Sequence, residues 1–405
     1  MLRCWAVAVI WLAFLIHGAV YCQLIPTWEG YDEWAHYAYV EHLRLHGTLP
    51  LVTDAITEEI RNSVQSARFR HEAGDPMTLY EAQQPPLYYW ILSIPNRLFI
   101  SADIQTRVRW LRWFSVLIAS LAVPFAWLAA VGLFHSRAIA LSVCALIAAM
   151  PGLMIDIARV GNAGLAVALG SWIVFLLLRK YSHLLGFAVG LALLTKAYFL
   201  ILAPVLIFRR RFSALAVAVG LSAWWYWRNF RLTGTWTGEI MDVTAAPMGS
   251  KLAAISKVNW LKVLDGALWT HIWTGAWSFL TVRSWMYRVF ELIFAILAIM
   301  LVLALLRRPW GCCKRKLALL GSLEALFAAD MAYDALAIFL AKNLSFAAGW
   351  YCYSLIVAEA LLLTSGMLVL AGRRRVLVAI TFLIALFAAL DAYSAIFVLA
   401  RFYRR

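Results

Sequence analysis

Long, uninterrupted apolar runs are the feature that most constrains this 405-residue chain. None alternates polar with apolar residues, so the runs predict helices rather than barrel strands, the only two structures that satisfy the backbone inside a bilayer. Hydrophobic residues make up 64% of the chain, against about 45–50% in a soluble domain. We therefore expect an all-α polytopic membrane protein with about 11 transmembrane helices, in a range of about 9–13. The runs cover residues 2–22, 87–100, 113–134, 138–157, 163–178, 183–208, 212–229, 286–306, 317–341, 350–371 and 376–400.

The distribution of charge predicts which helix ends face the cytoplasm. The net charge is +15, and the basic residues form short clusters between apolar runs, which is typical of cytoplasmic turns and not of a nucleic-acid-binding surface. The loop 23–86 instead holds ten of the 21 acidic residues, so we expect it on the non-cytoplasmic side. Tyr21 and Cys22 occupy the position where a signal peptidase needs small residues, so the first helix is expected to stay uncleaved. The basic turns are 209–211, 307–316 and 372–375.

One pair of bases conflicts with the simplest topology. Arg179 and Lys180 favour the cytoplasm, but a single crossing by every run places them outside. A hairpin of two short helices over 183–208 would bring them inside. The helix between Arg107 and Arg137 would then change direction, or another early segment would not cross. The sequence leaves these alternatives open.

An acid pair, Asp32 and Glu33, begins a helical pattern over 32–46 directly after the first apolar run. Such a helix is expected to lie on the bilayer surface and to hold the acids at its N-terminus, where the helix dipole favours negative charge. The alternative is that Asp32 only caps the helix. The apolar side would consist of Trp34, Tyr37, Val40, Leu43 and Leu45, and the wet side of Glu41, Arg44 and His46.

The segment 80–89, with the sequence YEAQQPPLYY, is the second candidate for a site. Its two prolines prevent a helix before residue 87 and favour one that starts there. Gln83 and Gln84 are thereby placed at a helix end on the same face as Asp32. A plain junction between a loop and a helix is the alternative interpretation.

Two basic residues complete the candidate site. Lys196 lies in the apolar stretch GLALLTK, where a lysine costs about 2.5–3.5 kcal/mol unless it pairs or reaches the interface. Arg228 ends the stretch WWYWRN, and its guanidinium suits a phosphate, although an interfacial arginine in an aromatic belt is the alternative. Six acids in or near apolar runs are expected to face the bundle interior and receive no catalytic role: Asp156, Glu324, Asp330, Asp334, Glu359 and Asp391.

These motifs, in this order, resemble the GT-C superfamily of integral-membrane glycosyltransferases. The match is to the bacterial branch that uses polyprenyl-phosphate sugars and to a related membrane family of unassigned function. Two family elements are altered: the late GRY element resembles Gly349-Trp350-Tyr351 without its arginine, and the NDA element resembles Asn162-Ala163 without its aspartate. The matching stretches are Tyr31–His36, residues 84–89, residues 190–196 and residues 224–229 with Gly234.

The resemblance implies a GT-C-like seven-helix core over 1–230 that includes the outside loop 23–86. A second outside, aromatic-rich loop at 231–285 and C-terminal helices at 286–405 follow. It also implies an active site on the outer face of a bacterial inner membrane, with Asp32 as the general base and Glu33 as runner-up. The implied substrate-binding residues are His36, Tyr80, Gln83, Gln84, Lys196, Arg228 and Asn229.

The implied reaction moves a sugar from a polyprenyl-phosphate donor to a hydroxyl of a lipid, glycan or protein acceptor. An inverting transfer needs one carboxylate as base, and a lipid phosphate leaves without an acid if cations meet it. Lys196 and Arg228 are the expected cations, and a cavity lined by Asp32, Gln84 and Arg228 is expected. No cofactor is firmly implied; a divalent metal is possible but not indicated. The rival functions are a transporter or flippase and a non-catalytic scaffold for lipid-linked envelope intermediates.

Overall fold

The computed structural model describes residues 2–69, 77–179, 181–238, 248–307 and 311–404. Within these ranges the chain is almost entirely helical, with two isolated bridges, Ala55 to Thr78 and Gly275 to Leu280, and no strand. The expected all-α fold is therefore confirmed. The α-helices are α1 Leu2–Leu24, α2 Glu33–His46, α3 Glu58–Gln65, α4 Leu87–Asn96, α5 Ile104–Ala119, α6 Ala122–Phe134, α7 Arg137–Ala148, α8 Pro151–Ile157, α9 Ala163–Leu177, α10 Ser182–Leu193, α11 Leu202–Phe208, α12 Phe212–Thr233, α13 Met248–Lys257, α14 Trp260–Ile272, α15 Ser284–Arg307, α16 Gly311–Lys342, α17 Ile356–Tyr393 and α18 Ala400–Tyr403.

Several of these helices are long and apolar enough to cross a membrane. Among the described residues, four stretches qualify by length and composition, or five if the bent pair α7 and α8 counts as one span. α5 and α6 form one stretch, Ile104–Phe134, while α7 and α8 meet at 59°, where Pro151 begins α8. α17 is interrupted at Gly372, whose φ of 71° suits glycine. The four stretches are Trp5–Leu24, Ile104–Phe134, Ser284–Leu306 and Gly349–Tyr403.

Basic turns meet at one end of the bundle, called the basic end here. Lys316 Nζ donates to the carbonyl of Gly132 at 3.1 Å, which joins the start of α16 to the end of α6. Arg211 donates to the carbonyl of Arg179 at 3.2 Å. The loop with the acid pair lies at the opposite end, called the site end. This separation of charge is the one that the positive-inside rule describes.

The segment from α10 to α11 is a hairpin, which was one of the two alternatives that the sequence left open. The hydroxyls of Ser182, which begins α10, and Ser213, which follows α11, are 2.9 Å apart at the basic end. Lys196 lies at the tip, between α10 and a 3₁₀ turn over Ala197–Ile201. A single crossing over 183–208 is therefore excluded.

The short helix α4 keeps both its ends at the site end. The backbone N–H of Leu87 donates to the carbonyl of Leu194 beside the hairpin tip, at 2.9 Å. At the other end, Asn96 donates to Glu41 of α2 at 2.8 Å. The apolar run at 87–100 thus does not continue to the basic end. This is the early segment that has to turn back if 183–208 is a hairpin.

The expected orientation of α2 is wrong in two places. Glu41, expected on the wet side, is buried. Its carboxylate accepts hydrogen bonds from Arg44 and Asn96 and forms an ion pair with Arg107. Leu45, expected on the apolar side, is 46% exposed. The reason is that α2 packs against α4 and α3 instead of resting on lipid, so protein covers the side that hydropathy assigned to water.

Candidate active site

Asp32 stands immediately before α2 in a left-handed backbone conformation, with φ 53°. Aspartate tolerates this region better than most residues, and strained residues of this kind cluster at functional sites. Its carbonyl accepts the N–H groups of Ala35 and His36, but its carboxylate makes no capping hydrogen bond. Oδ1 instead accepts the hydroxyl of Tyr80 at 2.6 Å. The side chain is therefore directed toward the segment 80–84, and the capping interpretation does not describe it.

Three cations favour the charged form of the Asp32 carboxylate and so lower its pKa. They are Arg159, Lys196 and Lys342. Arg159 follows α8 and is buried, with one Nη donating to Asp156 at 2.8 Å and the other to the carbonyl of Tyr31 at 2.7 Å. With Nε donating to the carbonyl of Asp156 at 3.1 Å, three of the five N–H groups are engaged, so the guanidinium is held beside the residue that precedes Asp32 and two N–H groups remain for other partners. Arg159, paired with Asp156, and Lys196 therefore place positive charge near the Asp32 carboxylate.

Lys196 enters the same space from the hairpin tip. It is buried, and its Nζ lies 5.0 Å from the ring centre of Tyr351 and 5.6 Å from that of Tyr198. In the described part of the chain no carboxylate lies within 4 Å of this ammonium group. Aromatic faces stabilise a desolvated cation without neutralising it. Lys196 is therefore available to meet an anion.

A second carboxylate, Glu81, is buried in the 3₁₀ turn Tyr80–Gln83. Burial, and next the charge of Asp32, raises the pKa of Glu81 to about 8. Burial also raises the pKa of Asp32, although the hydrogen bond from Tyr80 and the charge of Arg159 oppose it. Glu81 Oε2 and Gln83 Oε1 are buried and find no hydrogen-bond partner among the residues that the structure describes. Two orphaned acceptors beside a base are consistent with a ligand that supplies donors, such as sugar hydroxyls.

Glu33 has a different environment from Asp32, although the two are adjacent. It is fully buried and receives two hydrogen bonds from Arg112, at 2.6 and 2.5 Å. The backbone N–H groups of Trp28 and Val160 also donate to it, each at 3.0 Å. Four donors occupy both oxygens, so the geometry favours Asp32 over Glu33 as the base and gives Glu33 a positioning role.

Three of the other residues implied by the resemblance, His36, Gln84 and Asn229, hold neighbouring segments of the site together through hydrogen bonds. His36 Nδ1 is 2.8 Å from the Tyr89 hydroxyl. Gln84 Oε1 accepts from Asn162 at 3.2 Å, and Asn162 also donates to the carbonyl of Thr195 beside Lys196. Asn229 donates to the carbonyl of Gln83 at 3.2 Å. These contacts join the QPPLYY, LLTK and WRN stretches into one structure.

Arg228 lies in a different environment from the one expected. It donates to the carbonyl of Pro50 at 2.7 Å and rests 4.9 Å over the Trp225 ring. The charges with the largest effect on the pKa of Asp32 are Arg159, Lys196 and Lys342. A role for Arg228 in phosphate binding thus stays a prediction, whereas Arg159 is a residue that sequence reasoning missed.

A signal for Arg159 was present in the sequence. Asp156 and Arg159 stand three residues apart in an apolar run, and paired charges there are typical of functional sites. Trp350, which occupies the place of the family's arginine, stacks on Tyr31 with ring centres 4.3 Å apart. It therefore supports the residue whose carbonyl holds Arg159. Among residues 2–69, 77–179, 181–238, 248–307 and 311–404, no group of three or more His, Cys, Asp or Glu side chains could hold a metal ion.

Two solved structures of one archaeal protein share this fold. The oligosaccharyltransferase of Archaeoglobus fulgidus, solved with zinc and sulfate, aligns over 96% of this chain and 52% of its own, with a TM-score of 0.50 and 14% identity. Its apo form aligns over 97% and 55%, with a TM-score of 0.50 and 15% identity. This level of identity establishes a shared fold and leaves activity to be argued from the site.

A further solved structure is ArnT from Cupriavidus metallidurans bound to undecaprenyl phosphate. It aligns over 89% of this chain and 59% of its own, with a TM-score of 0.49 and 14% identity. The chain thus spans between about half and three-fifths of the length of these three structures. No family model matches the sequence, and no curated protein matches it.

Proposed function

We propose that this protein is a membrane glycosyltransferase that moves a sugar from a polyprenyl-phosphate donor to a hydroxyl group of an envelope acceptor. The observation that supports this most is the pairing of one partly buried carboxylate, Asp32, with two buried cations, Lys196 and Arg159. A base and an anion-stabilising pair at one end of an apolar bundle are what transfer from a lipid phosphate requires. The GT-C fold agrees with this proposal.

Asp32 acts as the general base. Its carboxylate takes the proton of the acceptor hydroxyl as that oxygen attacks the anomeric carbon of the sugar. The bond between the anomeric carbon and the phosphate oxygen breaks, and its electron pair stays on the phosphate. The sugar is then joined to the acceptor with inverted configuration, and the lipid leaves as a polyprenyl phosphate.

Lys196 and Arg159 meet the phosphate. The departing oxygen gains negative charge, and two fixed cations in a water-poor site stabilise it more strongly than they would in water. Arg159 thereby supplies the positive charge that the family pattern places after Gly349, where this chain has Trp350. Protonated Glu81, with Gln83, offers hydrogen-bond partners to the sugar.

The site lies on the outer face of a bacterial inner membrane. The loop 23–86 carries ten of the 21 acids, and the basic turns gather at the opposite end of the bundle. The acceptor is therefore an envelope component, a lipid, glycan or protein, that presents a hydroxyl at that surface.

Turnover tests the proposal directly. Proteoliposomes would receive a panel of polyprenyl-phosphate-linked hexoses, pentoses and amino sugars with an extract of envelope lipids and glycans. The readout is release of free polyprenyl phosphate together with label in the acceptor. We expect release with at least one donor and a lower donor affinity for Lys196→Met. Binding of donors without release would favour a scaffold, and movement of intact donor across the bilayer would favour a flippase.

A further inference from the structure

An apolar groove and a polar cavity lie side by side on the face formed by α1, α5 and the C-terminus. A groove of about 890 Å³ runs along α1, lined by apolar side chains that include Leu12, Ile16 and Trp113. Next to it, a polar cavity of about 330 Å³ is lined by Ser63, Ser66, Arg68, Gln105 and Arg109 among others. The two volumes share Gln23, Pro26 and Tyr403 in their linings, so the groove and the cavity adjoin.

The groove has the character of a hydrocarbon site. It follows the part of α1 that is apolar enough to cross a membrane, and Leu12 and Ile16 are more than half exposed there. Such a groove faces lipid tails once the protein is in a bilayer. An acyl chain would fill it through van der Waals contact with these side chains.

The cavity has the character of an anion site. Arg109 is exposed and has no carboxylate within ion-pair distance in the part of the chain that the structure describes. Arg68 lies over the ring of Phe69, which leaves its guanidinium donors to other partners. The cavity also presents the Ser63 and Ser66 hydroxyls. Guanidinium and hydroxyl donors together are typical of phosphate recognition.

This feature is separate from the candidate active site. Neither volume is lined by Asp32, Arg159 or Lys196. Arg112 does line the cavity, but its donors are taken by Glu33 and by the carbonyls of Cys22, Ile25 and Pro26. The Glu33–Arg112 ion pair thus lies between the cavity and Asp32.

We propose that the groove and the cavity together bind an anionic phospholipid, with one acyl chain along α1 and the phosphate on Arg68 and Arg109. The charge of the cavity and the apolar lining of the groove match the two halves of such a molecule. Bound there, the lipid would contact α1, the segment 63–69, α5 and the C-terminus, and it would stabilise their packing by mass action.

Native mass spectrometry of the purified full chain tests this proposal without reference to turnover. The probes are phosphatidylglycerol and phosphatidylcholine with the same acyl chains. We expect phosphatidylglycerol to bind at least tenfold more tightly, and Arg68→Gln with Arg109→Gln to remove about tenfold of that affinity, the usual value of a lost charge-assisted hydrogen bond. Arg97→Gln, an exposed arginine outside both volumes, is the matched control and should change nothing.

The groove has its own pair of variants. Ala19 lines it, so Ala19→Phe should fill it and weaken phosphatidylglycerol binding, whereas Ala13→Phe, at an exposed position of the same helix that does not line the groove, should not. Three results would each overturn the proposal. The protein could bind both lipids with equal affinity, Arg97→Gln could lower the affinity for phosphatidylglycerol as much as Arg109→Gln does, or Ala19→Phe could leave that affinity unchanged. Displacement of the lipid by millimolar inorganic phosphate would assign the cavity to a free anion instead. Thermal unfolding of each variant, measured in parallel, identifies any loss of binding caused by misfolding.

Discussion

The Tyr80 hydroxyl controls how readily Asp32 gives up its proton. Its hydrogen bond to Oδ1 favours the charged carboxylate and so lowers the pKa of Asp32, against the effect of burial. Tyr80→Phe removes that donor, so the pKa rises and the base form needs a higher pH. We expect the acid limb of the pH–rate profile to move to higher pH.

The control for this change is Tyr37→Phe, because the buried Tyr37 hydroxyl makes no hydrogen bond to any described residue. The acid limb of the pH–rate profile of Tyr37→Phe should lie at the same pH as that of the unaltered protein. A limb that stays in place for Tyr80→Phe, or moves to lower pH, would show that Asp32 does not determine this limb.

At the residue scale, the sequence predicted part of the site. The acid pair was singled out by its place at the start of a helical pattern and Lys196 by its place in an apolar run, while the role of Tyr80 came from the family resemblance. The resemblance ranked Asp32 before Glu33, but the residues alone gave no physical reason for it, because the difference arises from Arg112, which is 79 residues away from Glu33. It also missed Arg159, because the bend between α7 and α8 that precedes it is a property of the packed structure.

Among the helices, Glu33 and Arg112 join three elements. Arg112 of α5 binds Glu33 at the start of α2 and the carbonyls that follow the end of α1. Glu33→Gln leaves a buried guanidinium without its counter-charge. We expect a loss of about 3–5 kcal/mol in the free energy of unfolding, measured by denaturation in mixed micelles.

Glu59→Gln is the matched control for this change. Glu59 also pairs with an arginine, Arg107, but its side chain is 50% exposed. Arg107 is buried but keeps Glu41 as a second partner, and Glu59 itself is half exposed, so this variant should lose only about 0–1 kcal/mol of stability. Equal losses for the two variants would contradict the role assigned to burial.

The hairpin of α10 and α11 makes a prediction about topology. In a background without other cysteines, Ser182→Cys with Ser213→Cys should cross-link, because the two hydroxyls are 2.9 Å apart. Each cysteine alone should be labelled only after the membrane is permeabilised, whereas Asp54→Cys should be labelled from outside intact cells. Labelling of Ser182→Cys and Ser213→Cys from opposite sides would restore a single crossing over 183–208.

Hydropathy alone could not decide between these topologies. It measures the length of an apolar run, and 183–208 is long enough for one tilted span or two short ones. The contact between Ser182 and Ser213 decides for the hairpin, and Lys196 at its tip agrees, since a buried charge is tolerated where it meets other polar groups. The prediction of how α2 is oriented was wrong for a related reason. The sequence pattern shows that one side of α2 is apolar, but it does not show that α4 covers the polar side.

At the scale of the whole molecule, the order of short motifs predicted the fold better than any single motif did. The acid pair, the QPPLYY segment, the LLTK stretch and the WRN stretch lie far apart in sequence. In the structure they converge through Asn162, Asn229 and Lys196 at one end of the bundle. Four partial matches in the right order therefore identified segments that the fold brings together, while the GT-C core at 1–230 and the C-terminal helices stay predictions.

The transfer rate of Asp32→Asn, compared with its affinity for the donor lipid, tests the central claim most directly. Asparagine keeps the size of the side chain and tolerates the left-handed backbone, but it cannot take a proton. With the best donor from the panel in proteoliposomes, we expect the rate to fall by about 10²–10⁴, while binding of polyprenyl phosphate and the unfolding temperature stay nearly unchanged. A rate close to that of the unaltered protein would contradict the assignment of Asp32 as the base, and with it the chemical centre of the proposed glycosyltransferase.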